Sequence, residues 1–187
     1  MNQNTEVQLL PLSEIYKRYS VEGDFGVGDK GFLHSYIPYY EDALAPYREK
    51  EITVMEIGVA QGHSLKMWRE YFLNAKIVGC EIWGGCKNYF TDENVELFIG
   101  NATFKSFADD INFGIDILVE DSSHFESDQL RIYELFSPKM NENGLYIIED
   151  ILNPESTVPK FEALGFTAID FRKQKNRFDD VILWKKF

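Results

Sequence analysis

The sequence predicts an α/β fold: a mostly parallel seven-stranded sheet with helices on both faces and an antiparallel hairpin near the C-terminal end. Three observations lead there. From Ile52 onward, short β-branched apolar runs alternate with segments of helical period, the pattern that builds a parallel sheet flanked by helices. Ile77-Val78-Gly79-Cys80 and Ile115-Asp116-Ile117-Leu118-Val119 are apolar almost without interruption, as strands covered on both faces are. The first run, ending at Ile57, passes through Gly58 and Gly62 straight into a helical segment.

Taken in order, strands are expected near 52–57, 76–82, 95–99, 115–120 and 144–149. Between them, Leu65, Trp68 and Phe72 share one face of a helix over 64–72, and Leu130, Tyr133 and Phe136 share one face of another over 125–136. Ser137-Pro138 stops the latter. A helix near 155–164 ends at Gly165, and strands near 166–171 and 179–185 form the hairpin, joined by the basic loop from Arg172 to Arg177. Before residue 50 the pattern is looser: a short helix near 12–18, a glycine-bearing loop from Gly23 to Gly31, and a helix near 39–46. Residues 1–187 are read as one domain, with 1–50 as a cap or lid segment over a core at 51–187.

The chain's 187 residues, 44% of them hydrophobic, suffice for one substantial core and are too few for two ordinary domains. Nineteen basic against thirty-one acidic side chains give a formal charge of −12, the opposite of the basic footprint that nucleic-acid backbones demand. No nucleic acid is expected as a partner. Two cysteines, Cys80 and Cys86, do not make a disulfide framework or a zinc site, and no run approaches the ~20 apolar residues of a membrane span. The expectation is a cytoplasmic protein without a membrane partner.

The glycine turn lets a ligand approach the backbone closely. Its spacing, Glu56-x-Gly58-x-x-x-Gly62, departs from the dinucleotide pattern GxGxxG, in which a pyrophosphate sits at the helix start. Glu56 would suit a cationic ligand such as a sulfonium. The second strand ends at Glu81, close to the offset of about 20 residues at which an acid reaches ribose hydroxyls. The third ends in Gly100-Asn101-Ala102, a turn suited to an adenine edge. Ser64, at the helix start, and Glu120, at the end of the fourth strand, complete the expected donor-binding set with Glu56, Gly58, Gly62, Glu81, Asn101 and Ala102.

The fourth strand opens into Glu120-Asp121-Ser122-Ser123-His124 and the fifth into Glu149-Asp150. Ligands of open α/β sheets bind outside the carboxyl ends of the strands, so both acidic ends should face one crevice. Glu149 and Asp150 can converge only where the strand has already ended, because neighbours on a strand point to opposite faces. Asp121, Glu149 and Asp150 offer hard oxygens suited to Mg2+ or Mn2+, and an ion there would acidify a nearby hydroxyl. His124 could then take the proton, which makes His124 and Asp121 the expected catalytic pair.

On these segments the chain resembles class I S-adenosylmethionine-dependent methyltransferases of the macrolide and sugar (rhamnosyl) O-methyltransferase and cephalosporin hydroxylase family. The resemblance rests on Asp29-Lys30-Gly31 with His34 and Tyr36, Met55 to Val59, Gly62 to Trp68, Gly79 to Ile82, Val119 to His124, and Gly144 to Asp150. It implies a Rossmann-like fold, S-adenosyl-L-methionine as donor, Asp121, Glu149 and Asp150 as metal ligands, His124 as general base, and a sugar-type hydroxyl on a small molecule as acceptor. Glu120 and Ser122 stand where the family usually has Asp and Gly, and Glu81 and Asn101 where it usually has Asp. Asp29, His34 and Tyr36 are the expected acceptor or lid contacts. The oligomeric state stays open, a homo-oligomer included, and the alternative is a donor-binding protein of the same fold with other chemistry or no catalysis.

Overall fold

In the computed structural model, residues 9–20, 28–90 and 94–187 are described; of the expected glycine-bearing loop, 23–27 lie outside them. In chain order come α1 (Leu12–Tyr19), α2 (Asp29–Phe32), α3 (Ile37–Leu44), β1 (Thr53–Ile57), α4 (His63–Tyr71), β2 (Lys76–Glu81) and β3 (Val95–Ile99). These are followed by α5 (Lys105–Asp110), β4 (Ile115–Glu120), α6 (Glu126–Phe136), β5 (Met140–Ile148), α7 (Pro154–Glu162), β6 (Thr167–Asp170), α8 (Arg172–Lys175) and β7 (Val181–Lys186).

The strands form one seven-stranded sheet in the order β3-β2-β1-β4-β5-β7-β6. The first five run parallel, and β7 is antiparallel to both β5 and β6. This is the fold class the sequence predicts. From β1 the chain builds outward to β3, then returns to place β4 on the other side of β1, so the direction of strand order reverses between β1 and β4. A crevice opens at such a reversal, at the carboxyl ends of the strands.

Both faces are buried because consecutive strand residues alternate between them. Val54, Ile77, Ile117, Ile147 and Ile182 point to one side, where they meet Leu12 and Ile15 of α1, Tyr40 and Leu44 of α3, and Leu65 and Trp68 of α4. Met55, Val78, Leu118, Tyr146 and Leu183 point to the other, against Ala108 of α5, Ile132 and Phe136 of α6, and Phe161 of α7. The N-terminal segment therefore contributes core side chains to one face. Tyr19 Oη also donates to Glu70 Oε2 at 2.8 Å, tying α1 to α4.

Three departures from expectation have local causes. Strand β5 begins at Met140, before the polar stretch Asn141-Glu142-Asn143, because Met140 pairs with Ile115 across a register shift and Asn141 bonds Asp116 at 2.9 Å. The basic loop of the hairpin contains α8, closed by Asn176 in the left-handed region at φ 54°. Helices α2 and α5, of 4 and 6 residues, are too short to show a helical period. No helix among the described residues is long and apolar enough to cross a membrane.

Candidate active site

The turn after β1 is held in shape from both sides. Gly58 has φ 92°, and a Cβ there would lie 1.9 Å from the carbonyl oxygen of Asp121, so only glycine lets the β1 and β4 ends come this close. Ala60 also sits at positive φ, 47°. Glu81 compensates: its Oε2 accepts from the backbone N–H groups of Val59 at 2.8 Å and Ala60 at 2.9 Å, and its Oε1 from Trp83 at 2.9 Å. Together these residues wall a cavity of about 400 Å³ over the strand ends, lined also by Ser64, Asn101, Ala102, Asp121 and His124.

Behind the Asp121 side lies a dense polar cluster. Lys30, only 2% exposed, extends its Nζ to Glu149 Oε2 at 2.6 Å, Asp121 Oδ2 at 2.7 Å and Glu56 Oε1 at 3.2 Å. Burial pulls the Lys30 pKa down, but Asp121, Glu149 and Glu56 outweigh it and hold the ammonium well above its ordinary range. Burial likewise pushes the Glu149 and Asp150 carboxyls well up, with Lys30 opposing in both cases. Strand β5 ends at Ile148, and Asp150 takes φ 54°; this break allows two consecutive acids to face one cluster. Tyr40 donates to Glu149 Oε1, and Tyr36 Oη donates to Asp150 Oδ1 at 2.6 Å.

His124 follows the end of β4 at φ 60°, ahead of α6. Its Nε2 lies 4.0 Å from Asp150 Oδ2. Donor atoms of Asp121, His124 and Asp150 all lie within 4.8 Å of one another, a spacing that one cation could span. His124 and Asp150 both hold left-handed backbone, and both belong to this cluster.

The structure brings many of the sequence-predicted residues together and displaces others. Gly58, Ser64, Glu81, Asn101, Ala102, Asp29, Asp121 and His124 are on the cavity wall. Asn101 folds its Oδ1 back onto the N–H and Oγ1 of Thr103, at 2.9 and 2.8 Å. Glu56 is not on the wall: its strand position turns it beneath α4, where Trp68 Nε1 reaches it at 3.1 Å and Lys30 takes its charge. Glu120 points to the opposite face and accepts from Ser122 N–H at 3.2 Å; burial raises its carboxyl to about 7. Gly62 shapes the turn at φ 77° against the Phe90 ring without lining the cavity. His34 and Tyr36 are fully buried beside Asp150 instead of at the cavity wall. Glu149 bonds Lys30 and Tyr40 and shares the Lys30 Nζ with Asp121, without belonging to the tighter Asp121, His124 and Asp150 group. Lys30 is the residue sequence reading missed; no local signal marks it, because Asp121 and Glu149, the carboxylates that bury it, lie 91 and 119 residues away.

Strand order, the reversal between β1 and β4, the glycine turn with its acid partner, and the cavity above them define a class: the class I methyltransferase fold. MycE methyltransferase from the mycinamycin biosynthetic pathway, solved with Mg, SAH and mycinamycin VI, matches with a TM-score of 0.78 and 22% identity over 96% of this chain and 54% of that one. Aeropyrum pernix fibrillarin with bound S-adenosyl-L-methionine matches with a TM-score of 0.57 and 14% identity over 75% of this chain and 68% of that one. In sequence, the homologues are sugar O-methyltransferases of tetracenomycin and macrolide pathways. The chain is 33% identical over 134 residues to 8-demethyl-8-alpha-L-rhamnosyl tetracenomycin-C 2'-O-methyltransferase of Streptomyces olivaceus, covering 66% of this chain and 35% of that protein. It is 30% identical over 150 residues to mycinamicin VI 2''-O-methyltransferase of Micromonospora griseorubida, covering 75% of this chain and 36% of that protein. The chain thus spans about a third of the length of the curated relatives it matches. No family model matches it.

Proposed function

We propose that this chain carries the donor site and catalytic centre of an S-adenosylmethionine-dependent, magnesium-assisted O-methyltransferase acting on a hydroxyl of a sugar-bearing small molecule. One observation carries the reading: a single cavity is lined both by the Gly58 turn with Glu81 and by Asp121 with His124. Donor and acceptor could therefore meet in it. The names of the homologues, which describe 2'-O- and 2''-O-methylation in glycosylated compounds, support a sugar hydroxyl as acceptor. The formal charge of −12 supports a small molecule over nucleic acid, and action in the cytoplasm belongs to the same reading.

In this reading Glu81 keeps the turn open and offers its remaining lone pairs to the ribose hydroxyls, while the Asn101-Ala102 turn borders the base. Asp121 and Asp150 would hold the cation, their oxygens being close enough to meet at one ion. Glu149, whose Oε2 pairs with Lys30 at 2.6 Å, would be the third carboxylate ligand. Magnesium, when bound, supplies charge that acidifies a neighbouring hydroxyl. His124 removes the proton as the oxygen attacks the donor methyl group in line, and the protein's main contribution is to orient the two reactants.

The test is incubation of the purified chain with S-adenosylmethionine, Mg2+ and a panel of rhamnosylated acceptors, with S-adenosylhomocysteine and methylated product read by mass spectrometry. Stoichiometric formation of both, abolished by EDTA, is the expected result. Intact donor binding without product from any acceptor would overturn the transferase reading.

A further inference from the structure

We propose that Asp29, His34 and Asp150 form a second divalent-cation site, which shares Asp150 with the Asp121 and His124 group and fastens the α2 segment to the end of β5. One donor atom from each of the three residues lies within 4.8 Å of the other two. Donors bound to one ion at about 2.0–2.2 Å stand roughly 3 Å apart when adjacent and just over 4 Å when opposite, so the spacing suits a single ion. The His34 Nδ1 to Asp150 Oδ1 distance of 3.2 Å is of the adjacent kind.

The second observation is His34 itself. It is 1% exposed, and neither ring nitrogen has a hydrogen-bond partner, which is costly for a buried imidazole unless another species completes it. Asp180 stands behind: its Oδ1 lies 3.5 Å from His34 Nδ1 and accepts from the Ser35 N–H, while its Oδ2 is buried without a partner. Tyr36, donating to Asp150 Oδ1, would fix the orientation of the shared carboxylate.

Charge points the same way. Asp29, Asp150 and Asp180 lie around the ring, and of the three nearby cations Lys30 pairs with Asp121, Glu149 and Glu56, Arg177 with Asp179 at 2.8 Å, and Lys175 with the carbonyl oxygens of Phe32 at 3.0 Å and His34 at 2.6 Å. A dication would offset that excess. One imidazole with carboxylates favours a first-row transition ion, such as Mn2+, Co2+ or Zn2+, over Mg2+. Asp29 opens α2 and His34 follows it, while Asp150 follows β5, so the ion would join segments far apart in sequence.

The experiment titrates the chelator-stripped full chain with Mn2+, following calorimetry and the free-ion EPR signal. Two equivalents per chain are expected in the wild type and one in His34→Ala. Asp29→Asn, at a partly exposed position, should weaken the same equivalent at least tenfold and serves if His34→Ala does not fold; circular-dichroism melts report folding. Asp121→Ala should remove the other equivalent only. One equivalent in the wild type, unchanged in both His34→Ala and Asp29→Asn, would overturn the site and leave His34 and Asp150 as a close contact with no ion between them. If that equivalent disappears in Asp121→Ala, the magnesium reading stands while this one falls; no binding at all overturns both.

Discussion

His124 and Lys30 divide the chemistry of the cluster between them. His124 is the one imidazole that both lines the cavity and approaches Asp150, so His124→Ala should lower kcat by about 10²–10⁴-fold while leaving the donor Kd unchanged in calorimetry. A matching loss of donor affinity would move His124 out of the proton-transfer role. Lys30 is the counter-charge of three buried carboxylates. Lys30→Met leaves them uncompensated and should cost about 3–5 kcal/mol in urea unfolding. Added Mg2+ should recover part of that loss; a variant as stable as wild type would mean that the acids are already neutral. Asp121 and His124 could be read from sequence because they follow an unmistakable buried strand. Lys30 could not, because a lysine's burial is decided by partners 91 and 119 residues away. Glu56 and Glu120 misled for a related reason: strand periodicity fixes that neighbours alternate, but which face meets the ligand depends on helices packed later.

The strand, turn and helix from β1 to α4 act as a unit, since Gly58 allows the β4 end to approach and Glu81 of β2 clamps the turn. Gly58→Ala should therefore weaken S-adenosylmethionine binding by tenfold or more and lower the melting temperature, because the new Cβ must displace the Asp121 backbone. Unchanged affinity in isothermal titration would place the donor elsewhere. At this scale the sequence was most informative. Strands of continuous β-branched character, and helices such as α4 and α6 with three apolar residues on one face, declare themselves over their own length. Elements of one turn, α2 and α8, do not, and β5 extends over residues 141–143 only because a neighbouring strand pairs with its start.

Across the whole molecule, ionisable groups are buried on both sides of the sheet. Cys80, at the end of β2, has its thiol pushed up to about 12 by burial, with Glu96 adding to the effect. A raised pKa in the folded state means that the proton is held more tightly there, so the stability it contributes is complete below the unfolded value of about 8.5 and lost as pH rises toward the folded one. Urea midpoints of the wild type should fall more steeply between pH 8 and 10 than those of Cys80→Ala; parallel slopes would show that the thiol titrates normally. The reversal of strand order, legible only in part from the alternation of elements, is what gathers these groups at one edge. It also sets a timetable for the chain. Lys30 finds Glu149, and the Ser35 N–H finds Asp180, across separations of 119 and 145 residues, so the α2 stretch cannot settle until β5 has formed and the stretch leading into β7 has arrived. Loop closure over such lengths is slow to be rewarded. Helix α1 can dock on α4 early, but Lys30 and Ser35 must wait for Glu149 and Asp180, so the reactive centre should be among the last parts of the molecule to acquire its native form.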